Sequence, residues 1–355
     1  MKITRIECWL LKLKLSQPYE IAYESFDSAA NVFIAIETSE GITGYGCAAP
    51  DQAVTGETAE QVVNEINNVI KPLLLGEDPL KLVFLLEKIR PHLTASPAPR
   101  AAADIALYDS LAKKAGLPLW QLFGGYRHRI LTSVTIGILP VDDTIAHAKD
   151  YISKGFKCLK VKGGKNVEED IYKLIRLREV IGKKTGLRFD ANQGYNLEQT
   201  FRFVEETDIA DLELIEQPTS KTDPDLLGKI TRKSPTPIMA DESMLSLLDA
   251  FKLTKNTLID MVNVKLMKTG GLFEAFQINA VARAAGVEVM VGCMDECALS
   301  ISAGLHYALA RPNVIYADLD GHLDLIDDPT AGCVRLKNGY LYPSSRPGLG
   351  LPGKL

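Results

Sequence analysis

The sequence predicts an α/β protein, a (β/α)-barrel that carries an N-terminal α+β capping domain completed by the C-terminal tail. Three observations predict it. Along the second two-thirds of the chain, Lys162, Asp190, Glu216, Asp241, Lys265, Cys293 and Asp318 recur at intervals of 28, 26, 25, 24, 28 and 25 residues. Most of them end a short, largely apolar run, and one buried strand plus one helix per repeat is how a barrel of eight such units reads in sequence. The first 125 or so residues lack that repeat and run as strands followed by helices, the order of a separate α+β unit. The length of 355 residues suits a barrel of about 250 residues plus a smaller partner.

The capping domain, residues 1–125, opens with strand-like runs at 3–15, 31–37 and 41–49, with a turn at Ser39-Glu40-Gly41. Helical patterns follow at 59–70, 80–93 and 99–116, and Gly124-Gly125 closes the unit. The barrel, residues 126–325, begins with a strand at 131–138 and a helix near 144–154. Seven more strands are expected at 158–161, 187–190, 212–216, 237–240, 261–264, 287–291 and 314–317. The tail, residues 326–355, holds turns and one strand at 334–342 that returns to the capping domain. Its Gly348-Leu349-Gly350-Leu351-Pro352-Gly353 matches Gly-x-Gly-x-x-Gly in form. No helix can follow it to receive a pyrophosphate, so it reads as a turn-rich segment.

Composition excludes several partners. The chain is 46% hydrophobic and 24% charged, with a formal net charge of −5 and no basic stripe, so nucleic acid is not expected. Met1-Lys2-Ile3-Thr4-Arg5-Ile6-Glu7 is an amphipathic strand without the apolar core of a signal peptide, and no apolar stretch approaches the ~20 residues that span a bilayer. Six scattered cysteines without a Cys-x-x-Cys pair read as free thiols in a reducing cytoplasm. Homo-oligomerisation is left open.

Asp190, Glu216 and Asp241 carry the strongest chemical signal. Polar residues at barrel strand ends face one mouth. Three carboxylates on adjacent strand ends can occupy one face of an octahedron around a hard divalent cation, above all Mg²⁺, and leave the other face for substrate. Without a cation they would repel one another. A single acid here could be a helix N-cap, as Asp241 could be for residues 242–250; three in register point to a metal. Five scattered histidines form no zinc-like cluster. Lys160 and Lys162, spaced i, i+2, point to one side of their strand, and each disfavours the other's charge, so one can serve as a base near neutral pH. Lys265 lies four strands round the barrel and faces the pair across the mouth. The alternative for these lysines is a solvated surface, but the apolar neighbours Leu159, Val161 and Val264 argue against it.

In this order and spacing, Lys160-Val161-Lys162, Asp190-Ala191-Asn192-Gln193, Glu216-Gln217-Pro218, Ala240-Asp241-Glu242-Ser243 and Asn263-Val264-Lys265 resemble the enolase superfamily in its muconate-lactonizing subgroup. The resemblance spans essentially the whole chain, since the N-terminal portion is similar to that family's capping domain. The mandelate-racemase branch uses a histidine on strand seven, where this chain has none. The resemblance implies removal of a proton alpha to a carboxylate, through an enediolate stabilised by one Mg²⁺ per active site. It makes Asp190, Glu216 and Asp241 the metal ligands and Lys162 and Lys265 the two acid/base groups. Lys160 would lower the proton affinity of Lys162 and neutralise the carboxylate.

Asp318-Leu319-Asp320 resembles the Asp-x-Asp element with which dipeptide epimerases hold the substrate ammonium, and Gly292-Cys293-Met294-Asp295-Glu296 is also similar to them. The resemblance therefore implies a dipeptide substrate inverted at its C-terminal α-carbon. Epimerases of Ala-Glu meet the substrate's side-chain carboxylate with a basic residue in the first capping loop. Here residues 19–28 carry Glu20, Glu24 and Asp27 and no Lys or Arg. With Asp51 and Glu57 in the second loop and Asp295 and Glu296 in the barrel, the acids favour a Lys- or Arg-containing dipeptide. Glu24, Asp51, Asp295 and Glu296 are the candidate contacts. The alternatives are an Ala-Glu epimerase and an eliminase of the same subgroup, of the o-succinylbenzoate synthase or cycloisomerase type.

Overall fold

In the computed structural model the backbone is described for residues 1–20 and 25–355, and the side chains for residues 1–16 and 27–355. Three antiparallel strands, β1 (Ile3–Glu20), β2 (Ser25–Thr38) and β3 (Thr43–Ala48), form the capping sheet. β1 and β2 run beyond the expected 3–15 and 31–37 because each continues to supply the other's hydrogen-bond partners past a register shift between Lys14 and Tyr19. On its free edge the end of β1 is held by the barrel. Ser16 N donates to Asp324 O at 2.7 Å and Ile326 N to Lys14 O at 2.8 Å, which carries the ribbon onto the barrel mouth.

Helix Pro97–Ala115 packs on β3 at the closest approach two backbones allow. A Cβ at Gly46 would lie 2.0 Å from Ala102 O and one at Gly44 would lie 2.2 Å from Ala106 O, so only glycine fits there. The same helix ties the molecule together. Asp109 accepts from Tyr45 N in the cap at 2.9 Å and from Leu349 N in the tail at 2.8 Å. Asp104, fully buried, accepts from Leu272 N at 2.6 Å and Phe273 N at 3.1 Å, capping the barrel helix Leu272–Ala284. Asp104→Ala is expected to strand both donors and to lower the unfolding free energy by about 1–3 kcal/mol, read as a lower urea midpoint at unchanged slope.

After β4 (Ile130–Leu131), eight parallel strands make the barrel. They are β5 (Val134–Ile136), β6 (Cys158–Lys162), β7 (Gly186–Asp190), β8 (Leu214–Glu216), β9 (Ile238–Ala240), β10 (Met261–Lys265), β11 (Glu288–Gly292) and β12 (Val314–Asp318). A bridge between Thr132 and Ala317 and a bond from Ser133 N to Ala317 O at 3.1 Å bring the first and last strands together. Leu214, Met239, Met261 and Met290 fill the interior below the mouth, beside Tyr316.

The structure differs from expectation in two places. The single strand expected at 131–138 is two, because residues 130–131 pair outside the barrel. Their partner is a hairpin of β13 (Val334–Lys337) and β14 (Tyr340–Pro343), where one tail strand was expected. Its turn is Asn338-Gly339 with φ of 52° and 74°, the left-handed pair that a tight hairpin requires. The tail's return to the cap is made after the hairpin, at Leu349 on Asp109 and at Gly348 O, which accepts from Leu119 N at 3.0 Å. No helix among the described residues is long and apolar enough to cross a membrane.

Candidate active site

Asp190 and Glu216 end β7 and β8 and stand opposite each other in register; Asp241 follows β9. All three are buried, and one carboxylate oxygen from each lies within 4.8 Å of the others. Neighbouring amides aim them. Asn192 N donates to Asp190 Oδ1 at 2.9 Å, and Asn263 Nδ2 donates to Glu216 Oε1 at 2.7 Å. Gln217, at φ +34°, turns its side-chain carbonyl to accept from Asp241 N and Ser243 N, both at 3.0 Å, and so sets the backbone that carries Asp241.

Four lysines meet these acids. Lys162 Nζ lies 2.6 Å from Asp190 Oδ2, and Lys265 Nζ lies 2.8 Å from Asp241 Oδ2, so the two stand at opposite ends of the carboxylate row. Lys160 Nζ sits among Glu216 Oε2 at 2.7 Å, Asp318 Oδ2 at 2.8 Å and Asp190 Oδ2 at 3.2 Å. Lys268, which the strand repeat does not mark, is buried and bonds to Asp241 Oδ1 and, at 2.7 Å, to Asp241 O.

Burial works against the charge of Lys160, yet Asp318, Glu216 and Asp190 outweigh it and hold its pKa well above the ordinary lysine value. The same balance, with Asp241 as the main partner, keeps Lys265 high. In this arrangement the carboxylates, rather than the second lysine, dominate the charge of Lys160, contrary to the expectation from the Lys-x-Lys spacing alone. Burial, followed by the adjacent Asp190, pushes Glu216 up to about 8. Its Oε2 has no hydrogen bond, although Lys160 Nζ is near. Three convergent hard oxygens with a buried, unbonded one among them fit a divalent cation such as Mg²⁺.

A cavity of about 410 Å³ opens beside this row. Asp318 and Asp320 both line it, as do Asp295, Asp51 and Cys293. Asp318 is held down at about 2: burial opposes ionisation, and Lys160 and Ser133 overcome it. Asp320 is pushed up to about 7 by burial and by Asp318, while its Oδ2 accepts from Thr135 N at 2.6 Å. Asp51 Oδ1 also accepts from Ala53 N at 2.9 Å and Val54 N at 3.2 Å, folding its own turn at the rim. Glu296 does not line the cavity. It is buried, accepts from Met294 N at 2.9 Å, and is pushed up to about 7 by burial. Glu57 likewise turns inward, onto Ala98 N at the start of helix Pro97–Ala115. Glu24 lies outside the described residues.

The cavity also holds residues that no strand-end spacing signals: Thr135, Asn192, Glu242, Asp324, and His147 and Tyr151 from helix Val141–Ser153. Glu242 could have been found from its place beside Asp241. Asp324 is there because β1 pairs with its loop, which local sequence does not encode.

Two family models cover most of the chain: the mandelate racemase / muconate lactonizing enzyme N-terminal domain over residues 5–124, and the enolase C-terminal domain-like model over residues 143–352. The chain belongs to the enolase-like family of mandelate racemases and muconate lactonizing enzymes. Within this family it is 41% identical over 352 residues to an L-Lys-D/L-Arg epimerase of Desulforapulum autotrophicum, covering 99% of each chain. It is 36% identical over 356 residues to an L-Ala-D/L-Glu epimerase of Bacillus subtilis, covering 99% of this chain and 97% of that one. The solved structure of a dipeptide epimerase from Methylococcus capsulatus, in complex with Mg and the dipeptide L-Arg-D-Lys, matches at a TM-score of 0.94 and 39% identity, covering 99% of both chains. Family membership agrees with the fold derived from the strand-end repeat.

Proposed function

We propose that the protein is a Mg²⁺-dependent dipeptide epimerase that inverts the α-carbon of the C-terminal residue and prefers dipeptides containing Lys or Arg. The observation that carries the reading is the placement of Lys162 and Lys265 at opposite ends of the Asp190–Glu216–Asp241 row, on Asp190 and Asp241 respectively. A reacting carbon bound over the row has an amine on each side. The names of the relatives support the reaction class.

Asp190, Glu216 and Asp241 would hold Mg²⁺, which when bound would supply positive charge against the substrate carboxylate. As a neutral amine, Lys162 takes the α-proton from one face, and the bonding pair passes into the adjoining carboxylate. Lys265, as an ammonium, returns a proton to the opposite face, and the configuration inverts. From the other epimer the two exchange roles. Lys160, charged and buried, faces the side on which the charge accumulates. Asp320, with Asp318 beneath it, receives the substrate's terminal ammonium by a charge-assisted hydrogen bond. A reducing cytoplasm suits the free cysteines.

The preference for cations rests on the lining. Beyond the metal-binding row the cavity presents Asp51, Asp295, Asp320 and Asp324 and, among the described residues, no arginine. An anionic side chain would meet like charge from these carboxylates, whereas a cationic one is drawn in. Incubation in D₂O with Ala-Lys, Lys-Arg, Ala-Glu and apolar dipeptides tests both parts. Deuterium gain with inversion is expected, with kcat/KM at least about tenfold higher for the cationic pairs, a difference of about 1.4 kcal/mol. Asp51→Asn keeps the turn-forming oxygen and is expected to shrink that margin without altering apolar dipeptides. A preference for Ala-Glu would overturn the cationic reading. Absence of exchange from every dipeptide would overturn the epimerase reading and favour the eliminase.

A further inference from the structure

Below the mouth, a directed chain of hydrogen bonds runs through the barrel interior to Lys160. It starts at Arg188 on β7, which is 1% exposed and whose Nε lies 2.9 Å from Glu213 Oε2. Arg188 Nη1 donates to Ser133 Oγ at 3.2 Å and to Ala317 O at 2.9 Å. Ser133, fully buried between β4 and β5, donates to Asp318 Oδ1 at 2.6 Å. The other oxygen of Asp318, Oδ2, faces Lys160 Nζ at 2.8 Å. None of these links is between sequence neighbours; they join β7, the β4–β5 connection, β12 and β6.

The direction of the chain follows from the donor inventory. A guanidinium has no acceptor and does not lose its proton in a protein, so Arg188 can only donate to Ser133. A serine hydroxyl has one proton. With a donor already aimed at its oxygen, that proton turns to Asp318 Oδ1, the nearer of its two acceptors; Ala317 O, at 3.4 Å, is the other. The Asp318 carboxylate is then fixed in its plane, and Oδ2 is left for Lys160. Asp318 and Asp320 are therefore not equivalent: the first is engaged from below at both oxygens, whereas the second is held at Oδ2 by Thr135 N.

We propose that Ser133, oriented by Arg188, is a positioning residue that holds Asp318 in register with Lys160 and thereby sets where the Lys160 charge sits. The inference rests on the epimerase reading for its kinetic consequence but not for its geometry. A charge placed against developing negative charge acts on the transition state more than on the bound substrate, so its displacement lowers kcat and leaves KM little changed.

The test compares Ser133→Ala, Ser133→Thr and Arg188→Met in the Mg²⁺-loaded full-length protein, with crystal structures of the wild type and Ser133→Ala alongside. Ser133→Ala is expected to lower kcat about tenfold or more, with KM within about twofold of wild type. Ser133→Thr, which keeps the hydroxyl, is expected to recover most of the loss. Arg188→Met frees the serine proton to swing toward Ala317 O and is expected to lower kcat in the same sense by less. In the crystal structure of Ser133→Ala, Asp318 Oδ2 is expected to leave Lys160 Nζ. An unchanged kcat, a rise in KM alone, equal losses in the alanine and threonine variants, or an Asp318–Lys160 contact that survives in Ser133→Ala would each overturn the proposal. If the wild type turns over no dipeptide while Asp318 still shifts in Ser133→Ala, the substrate reading fails and the positioning role stands.

Discussion

Lys162→Ala and Lys265→Ala are each expected to lose epimerisation by on the order of 10³-fold, while losing α-proton exchange from opposite epimers of the same dipeptide. General acid–base groups contribute roughly 10²–10⁴-fold. Inversion needs both amines, one to remove the proton and one to deliver its replacement, so either deletion blocks the full reaction. Exchange needs only the amine on the face that carries the proton. A variant that retains Lys265 should therefore still wash deuterium into the epimer whose α-hydrogen points at Lys265, with retained configuration, and the reciprocal variant should do so for the other. The placement of the two lysines on Asp190 and Asp241, at the two ends of one carboxylate row, requires this split. Mass gain followed by chiral analysis of the C-terminal residue checks it. Loss of exchange from both epimers in either single variant would show that one lysine serves both faces.

The second large effect is expected at Glu216. Chelation of Mg²⁺ from the wild type, or the Glu216→Gln substitution, should reduce turnover by at least about 10³-fold, since the charge that stabilises the developing anion is lost. Stability should move the other way in the substitution. Burial and Asp190 oppose ionisation of Glu216 and push it up to about 8, against 4.5 as its ordinary value. The sign is that of a raised acid: its contribution to stability is fully present below pH 4.5 and is lost as pH rises through about 8. Metal-free Glu216→Gln, which keeps an oxygen for Asn263 Nδ2, should thus match or exceed the metal-free wild type in unfolding midpoint, by a margin that widens from pH 4.5 toward 8. Mg²⁺ at about 100-fold over its dissociation constant should stabilise the wild type by about 2.7 kcal/mol and the variant by far less. Thermal unfolding with and without Mg²⁺ at two pH values measures both. Equal stabilisation of the two proteins by Mg²⁺ would remove Glu216 from the ligand set.

Much of the site is legible in the sequence because strand ends are. A β/α repeat of 24 to 28 residues places each strand-end residue at the same mouth, and the residue at that place can be read directly: Lys162, Asp190, Glu216, Asp241, Lys265, Cys293, Asp318. Period two along a strand puts Lys160 on the side of Lys162 and Asp320 within reach of Asp318. Acids on the loops of the cap and of the barrel are another matter. Their side chains are equally polar on paper, yet Asp51 lines the cavity while Glu57 and Glu296 turn inward to bond backbone amides. A carboxylate in a loop satisfies whichever donor the folded backbone leaves unpaired, and local sequence does not name that donor. The tail hairpin was read as one strand although Asn338-Gly339 is a strong turn signal, and no local signal marks its partner at residues 130–131.

The sequence by itself determined the fold class, the order of the barrel repeats and the identity of the strand-end residues gathered at the mouth, because these follow from local periodicity and from which residue ends each strand. The tertiary structure alone decided their pairings. Lys268 on Asp241, Asp324 at the cavity wall, and the run from Arg188 through Ser133 to Asp318 and Lys160 depend on barrel closure at Thr132 and Ala317 and on the register between strands far apart in the chain. The reason is range: hydrophobic period is a property of neighbouring residues, whereas a hydrogen bond or ion pair across a barrel is set by the relative displacement of strands, and a shift of one residue in that register would exchange every partner.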